Sequence, residues 1–138
     1  MVDIAPSMLG ADFGKMREAA EMVAPHSAYL HMDVMDGHFV PNLTMGPDLV
    51  KALEGIAPLD VHLMVTNPID FIEDFRDAGA EIISVHVEAN NPLKALKSIK
   101  KNNMKAGIAL NPSTPENSIE PFISLADMIL VMSVEPGY

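Results

Sequence analysis

Residues 82–110 have the sequence IISVHVEANNPLKALKSIKKNNMKAGIAL, in which two short apolar runs flank an amphipathic segment. The apolar runs predict β-strands over 82–86 and 105–110, because strands buried on both faces are almost continuously apolar. Asn91 and Pro92 predict the start of a helix between them, since proline suits the first helical position. The stretch is therefore predicted to form a strand, a crossover helix and a second, parallel strand.

The same alternation of apolar and amphipathic segments continues along the whole chain. A second helix is predicted from Pro68 to Ala78, with Asn67 as its N-cap and Gly79 as its terminator. Strands are predicted over residues 3–7, 29–33, 59–65, 82–86, 105–110 and 128–133. The last three strands begin at even spacing, which indicates a repeated strand–helix unit.

The first turn distinguishes between two folds that are built from such units. A doubly wound nucleotide-binding sheet usually has a glycine-rich turn after its first strand, whereas residues 6–12 have the sequence PSMLGAD. The predicted fold class is therefore α/β, a (β/α)8 TIM barrel. A complete barrel needs eight units and roughly 250 residues, and this sequence of 138 residues supplies about six. We expect residues 1–138 to be one incomplete barrel, truncated in the loop after the sixth strand.

Two predicted strands carry residues that could bind a metal ion. His31 and Asp33 are two positions apart on one strand, so both side chains lie on the same face. His62 lies at the matching depth of the next strand and would complete a set of two histidines and one carboxylate if the strands are neighbours. The sequence has no cysteine, so nitrogen and oxygen are the available ligands. The expected cofactor is one divalent ion, Fe²⁺, Zn²⁺, Mn²⁺ or Co²⁺.

Charge and hydropathy exclude several kinds of partner. The formal net charge is −10 and no basic cluster occurs, so we expect no binding to nucleic acid or to anionic membranes. No stretch approaches the roughly 20 apolar residues of a membrane span, and the first residues lack the basic start of a signal peptide. A cytoplasmic protein is predicted.

Four motifs resemble one enzyme family: APSML at residues 5–9, HMDVMDGHFVPN at 31–42, DVHLMV at 60–65 and VMSVEPGY at 131–138. Together they resemble the ribulose-phosphate 3-epimerase family, (β/α)8 barrels of the pentose phosphate pathway, over about the first two thirds of a family barrel. The resemblance implies metal-dependent epimerisation at C3 of a ketose phosphate, which interconverts D-ribulose 5-phosphate and D-xylulose 5-phosphate. It also implies a small sugar phosphate as partner and assembly into a homo-oligomer.

The resemblance further implies a role for individual residues. Asp33 corresponds to a catalytic acid/base that is also a metal ligand, together with the ligands His31 and His62 beside the substrate. The other implied site residues bind substrate or cap the pocket: Ser7, Gly137 and Tyr138 bind substrate, and Met35, Met64 and Met132 form the cap. The family's second acid/base, an aspartate on the seventh strand, has no counterpart in this sequence.

Two alternatives to this function stay open at the level of sequence. A related epimerase acting on allulose 6-phosphate would use the same metal and the same base, and the loops that set substrate length are only partly present. If the natural chain ended at Tyr138, the expectation would instead be an inactive barrel fragment with exposed strand edges.

Overall fold

The computed structural model describes residues 2–137, which form a five-stranded parallel sheet. The strands are β1 (Leu30–Met35), β2 (Leu59–Met64), β3 (Ala80–His86), β4 (Lys105–Leu110) and β5 (Met128–Val131). Each strand pairs in parallel with the next, so their order in the sheet is their order in the chain. This arrangement confirms the predicted fold class, and the structure contains part of a βα barrel.

Helices connect these strands along one face of the sheet. The α-helices are α1 (Met16–Val23), α2 (Pro47–Lys51), α3 (Ile72–Asp77) and α4 (Pro92–Lys101), and a 3-10 turn at Pro68–Asp70 precedes α3. The segment between β4 and β5 forms a 3-10 helix, Glu116–Phe122, where the repeated strand–helix unit predicted a helix. Pro121 lies inside it and has no N–H to donate to an α-helical hydrogen bond. Within residues 2–137, no helix has the length and apolar character needed to cross a membrane.

The prediction of a strand over residues 3–7 is wrong, because this segment pairs with β1 at only a few points. The Ile4 and Pro6 carbonyls accept hydrogen bonds from the Ala28 N–H (2.8 Å) and the His31 N–H (2.9 Å), and Ser7 forms one isolated parallel bridge with His31. Pro6 cannot donate a backbone hydrogen bond to any strand beside it. The segment nevertheless lies along β1 and brings Ser7 next to His31.

The two faces of the sheet differ in chemistry. Alternate strand residues, such as Met32, Val61 and Ile83, are fully buried and belong to a core that also contains the helical residues Phe75 and Leu96. The intervening residues lie on the opposite face, because successive side chains of a strand alternate. Apart from the exposed Glu81, every polar or charged side chain of β1, β2 and β3 is among these intervening residues: His31, Asp33, Asp60, His62, Ser84 and His86.

Candidate metal centre

The pairing of β1 with β2 brings the three predicted ligands together. Asp33 is directly opposite His62 in the register, and His31 is opposite Asp60. One carboxylate oxygen of Asp33, Oδ1, lies 2.9 Å from Nδ1 of His62 and 3.3 Å from Nε2 of His31. One potential ligand atom from each of the three residues lies within 4.8 Å of the others. The condition set by the sequence, that the two strands are neighbours, is therefore met.

The hydrogen bonds around the histidines favour a metal ion. Nδ1 of His31 lies 2.7 Å from Oδ2 of Asp60, which accepts its N–H, so Nε2 is the ring atom that faces Asp33 and could bind a metal ion once it loses its proton. Nε2 of His62 lies 2.7 Å from Nε2 of His86, so its Nδ1 is the atom that faces Asp33. Two imidazole nitrogens and a carboxylate oxygen are a donor set that Zn²⁺, Fe²⁺, Mn²⁺ and Co²⁺ accept.

The ionisation of the cluster shows that it attracts positive charge. Burial raises the pKa of Asp33, but hydrogen bonds from His31, His62 and Ser7 hold that pKa well below its usual range. Burial lowers the pKa of His31, yet its hydrogen bonds with Asp33 and Asp60 raise that pKa to about 10. A proton on His31 therefore balances the carboxylates in the metal-free protein, and a bound cation would compete with that proton.

A cavity of about 400 Å³ opens beside Asp33. The predicted site residues that line it are Ser7, Asp33, Met35, Met64, Met132 and Gly137. The Ser7 hydroxyl donates a hydrogen bond to Oδ2 of Asp33 (2.5 Å). Gly137 is buried with φ +95°, and its carbonyl accepts a hydrogen bond from the Asn42 amide (2.5 Å). Tyr138, which was also predicted to bind substrate, lies outside the described residues.

Sequence reasoning did not identify Asp60 and Glu88 as part of this network. Asp60 is two residues before His62 on β2, the same spacing as His31 and Asp33, so the signal was present in the sequence. Glu88 follows β3 and contacts Nδ1 of His86 through Oε2 at 3.0 Å. His86 itself is fully buried, and burial together with the neighbouring His62 lowers its pKa to about 4 despite Glu88.

The fold and the site together define a partial βα barrel whose inner face carries a His–Asp–His cluster suited to a metal ion. The family model for the ribulose-phosphate 3 epimerase family matches residues 3–138. The chain belongs to that family, as the motifs in its sequence predicted.

Relatives with assigned names agree with this membership. Ribulose-phosphate 3-epimerases from Synechocystis sp. and Bacillus subtilis are 47% and 45% identical to the chain over 98% and 100% of its length. The enzyme of that name from Escherichia coli is 48% identical over 98% of the chain. The chain spans 61%, 65% and 62% of these three relatives.

A solved structure agrees at the level of fold. The 3-keto-L-gulonate-6-phosphate decarboxylase from Vibrio cholerae superposes with a TM-score of 0.70 at 15% sequence identity. The match covers 89% of this chain and 58% of the decarboxylase. At this level of identity the likeness concerns the backbone arrangement alone.

Proposed function

We propose that this chain supplies the metal centre and one acid/base of an enzyme that epimerises a ketose phosphate at C3 and interconverts D-ribulose 5-phosphate and D-xylulose 5-phosphate. The observation that carries the proposal is the register of β1 and β2, which sets Asp33 against His62 with His31 on the same face. Family membership and the names of the relatives support this choice of reaction.

Asp33 has the properties needed to accept the substrate proton. It lines the cavity and is ionised at neutral pH, which is the form of a carboxylate that can accept a proton. Ser7 donates to Oδ2 and holds the carboxylate in a fixed orientation. His31, Asp33 and His62 would hold one divalent ion, which when bound would act as a Lewis acid towards the negative charge that develops on the substrate oxygen.

The remaining lining residues suit a sugar phosphate. Met35, Met64 and Met132 give the cavity an apolar wall that limits water around the reacting carbon, and their flexible side chains can adapt to either epimer. We infer that the backbone at Gly137 contacts the phosphate, because glycine allows close approach to the main chain and no side chain competes for the space.

We also infer a cytoplasmic location and a homo-oligomeric state for the enzyme. A relative from Oryza sativa that is 44% identical over 98% of the chain is named as the cytoplasmic isoform, which supports the location. The oligomeric state rests on the family resemblance and stays a prediction.

The proposed reaction can be tested by solvent exchange in the full-length protein. D-ribulose 5-phosphate is incubated with enzyme in D₂O, and deuterium at C3 is followed by NMR. We expect Asp33→Asn to slow exchange by about 100- to 10,000-fold, the usual contribution of a general acid or base. Asp74→Asn, the same change on the exposed side of α3, should leave the rate unchanged.

Two results would contradict the proposal. Exchange by Asp33→Asn at the wild-type rate would exclude Asp33 as the base. Faster turnover of allulose 6-phosphate than of ribulose 5-phosphate would assign the enzyme to the hexulose phosphate instead.

A further inference from the structure

A buried line of hydrogen-bonding groups leads from the metal cluster across β2 and β3. Nε2 of His62 contacts Nε2 of His86 at 2.7 Å, and Nδ1 of His86 contacts Oε2 of Glu88 at 3.0 Å. The side chains of His62 and His86 are 1% and 0% exposed, so water does not supply alternative partners. We propose that Glu88 is a positioning residue which, through His86, fixes the proton of His62 on Nε2 and keeps Nδ1 free to bind a metal ion.

The proton positions follow from which groups can donate. A carboxylate only accepts, so the contact between His86 and Glu88 requires a proton on Nδ1 of His86. Nε2 of the neutral His86 ring is then an acceptor, so Nε2 of His62 must carry the proton between the two rings. Nδ1 of His62 is left with a lone pair that faces the Asp33 carboxylate at 2.9 Å. Two facing acceptors at that distance repel each other unless a proton or a metal ion lies between them, and this proton arrangement leaves the position to the metal ion.

Hydrogen bonds to one oxygen of Glu88 fix the orientation of its carboxylate. This oxygen, Oε1, accepts hydrogen bonds from the backbone N–H of Asn111 (2.8 Å) and from the Thr114 hydroxyl (2.5 Å). Both donors come from the loop after β4, and they leave Oε2 facing His86. The loop after β4 therefore orients the Glu88 carboxylate, and that carboxylate in turn orients the ring of His86 at the end of β3.

This arrangement predicts what happens when the carboxylate becomes an amide. In Glu88→Gln the amide oxygen must stay with the Asn111 N–H, because a backbone N–H can only donate. The amide NH₂ then faces Nδ1 of His86 and donates to it. The protons on both rings reverse, and Nδ1 of His62 carries a proton towards Asp33 instead of presenting a lone pair.

The inference rests on the proposed metal site, and its test uses the full-length protein with zinc as the probe. Zinc affinity is measured by competition with a chelator, and ¹⁵N NMR of the imidazoles locates each proton. In the zinc-loaded wild type we expect protons on Nδ1 of His86 and Nε2 of His62. For Glu88→Gln we expect about 10- to 100-fold weaker zinc binding and a proton on Nε2 of His86.

The matched control is Glu81→Gln, the same change at an exposed glutamate of β3 that pairs with Lys105. It should keep the wild-type zinc affinity and proton positions, whereas a general loss of negative charge would weaken both variants equally. A proton on Nε2 of His86 in the wild type, which needs no variant to observe, would overturn the inference. Wild-type zinc affinity in folded Glu88→Gln would also overturn it, while failure of the wild type to bind zinc would instead overturn the proposed metal site itself.

Discussion

His62 is buried between Asp33 of β1 and His86 of β3, so its replacement tests the cluster without changing the protein surface. Loss of a residue that hydrogen-bonds to a metal ligand usually weakens metal binding by about 10- to 100-fold. We expect His62→Ala to weaken zinc binding by more than this, because it removes a ligand atom. Equilibrium dialysis with zinc measures the change. His26→Ala removes an exposed histidine that precedes β1 and should bind as wild type. Undiminished zinc occupancy in His62→Ala would exclude His62 from the ligands.

The sequence predicted the position of a site residue where the two-residue period of a strand decides which side chains share a face. His31 and Asp33 share a face because they are two positions apart, and only the pairing of β1 with β2 was needed to add His62. The role of Glu88 depends on donors at Asn111 and Thr114, which the loop after β4 brings back over β3. Such a long-range contact has no signal in local spacing, so sequence reasoning could not find it.

At the scale of the elements, the pairing of β3 with β4 leaves no room for a side chain at Gly107. Gly107 is opposite Ser84 in the register, and a Cβ on Gly107 would lie only 3.1 Å from the Ser84 Cα and would collide with its buried hydroxyl. We expect Gly107→Ala to lower the free energy of unfolding by about 1–3 kcal/mol, the usual cost of overpacking. Urea unfolding measures this difference.

The control for this prediction is Gly46→Ala, because a Cβ there meets no atom within 4 Å among those of the described chain. Adding Ser84→Gly to Gly107→Ala removes the obstructing side chain and should recover part of the lost stability. Equal stability of Gly107→Ala and the wild type would contradict this prediction and show that the added Cβ is accommodated without cost.

Strands could be predicted from the sequence where a local run of apolar residues defines them. The predicted strand over 105–110 coincides with β4, and the run over 59–65 differs from β2 by one residue. Asn67 and Asn91 do precede their helices, but neither makes a capping hydrogen bond through its side chain within the described chain. The Asn67 side chain accepts instead from Asn90 in the next connection (2.9 Å). A tertiary contact has thus replaced the local one that the sequence pattern suggested.

At the scale of the whole molecule, the metal cluster joins neighbouring strands and so links binding to folding. The proposed ligands come from β1 and β2, and their hydrogen-bond partners Asp60 and His86 come from β2 and β3. The unfolded chain cannot hold these groups together, so an ion that binds the cluster stabilises the folded state only. The stability of the protein should therefore depend on metal concentration.

We expect zinc to raise the melting temperature of the full-length, metal-free protein. At a free zinc concentration of 100 times the dissociation constant, binding adds about 2.7 kcal/mol to the free energy of unfolding. For a domain of roughly 150–250 residues, this raises the melting temperature by about 5 °C or more. Differential scanning calorimetry measures the shift. Magnesium at the same concentration should have a much smaller effect, because it prefers six oxygen ligands to imidazole nitrogen. The zinc shift should also be nearly absent in His62→Ala, and an equal shift in that variant would place the stabilising ion somewhere other than this cluster.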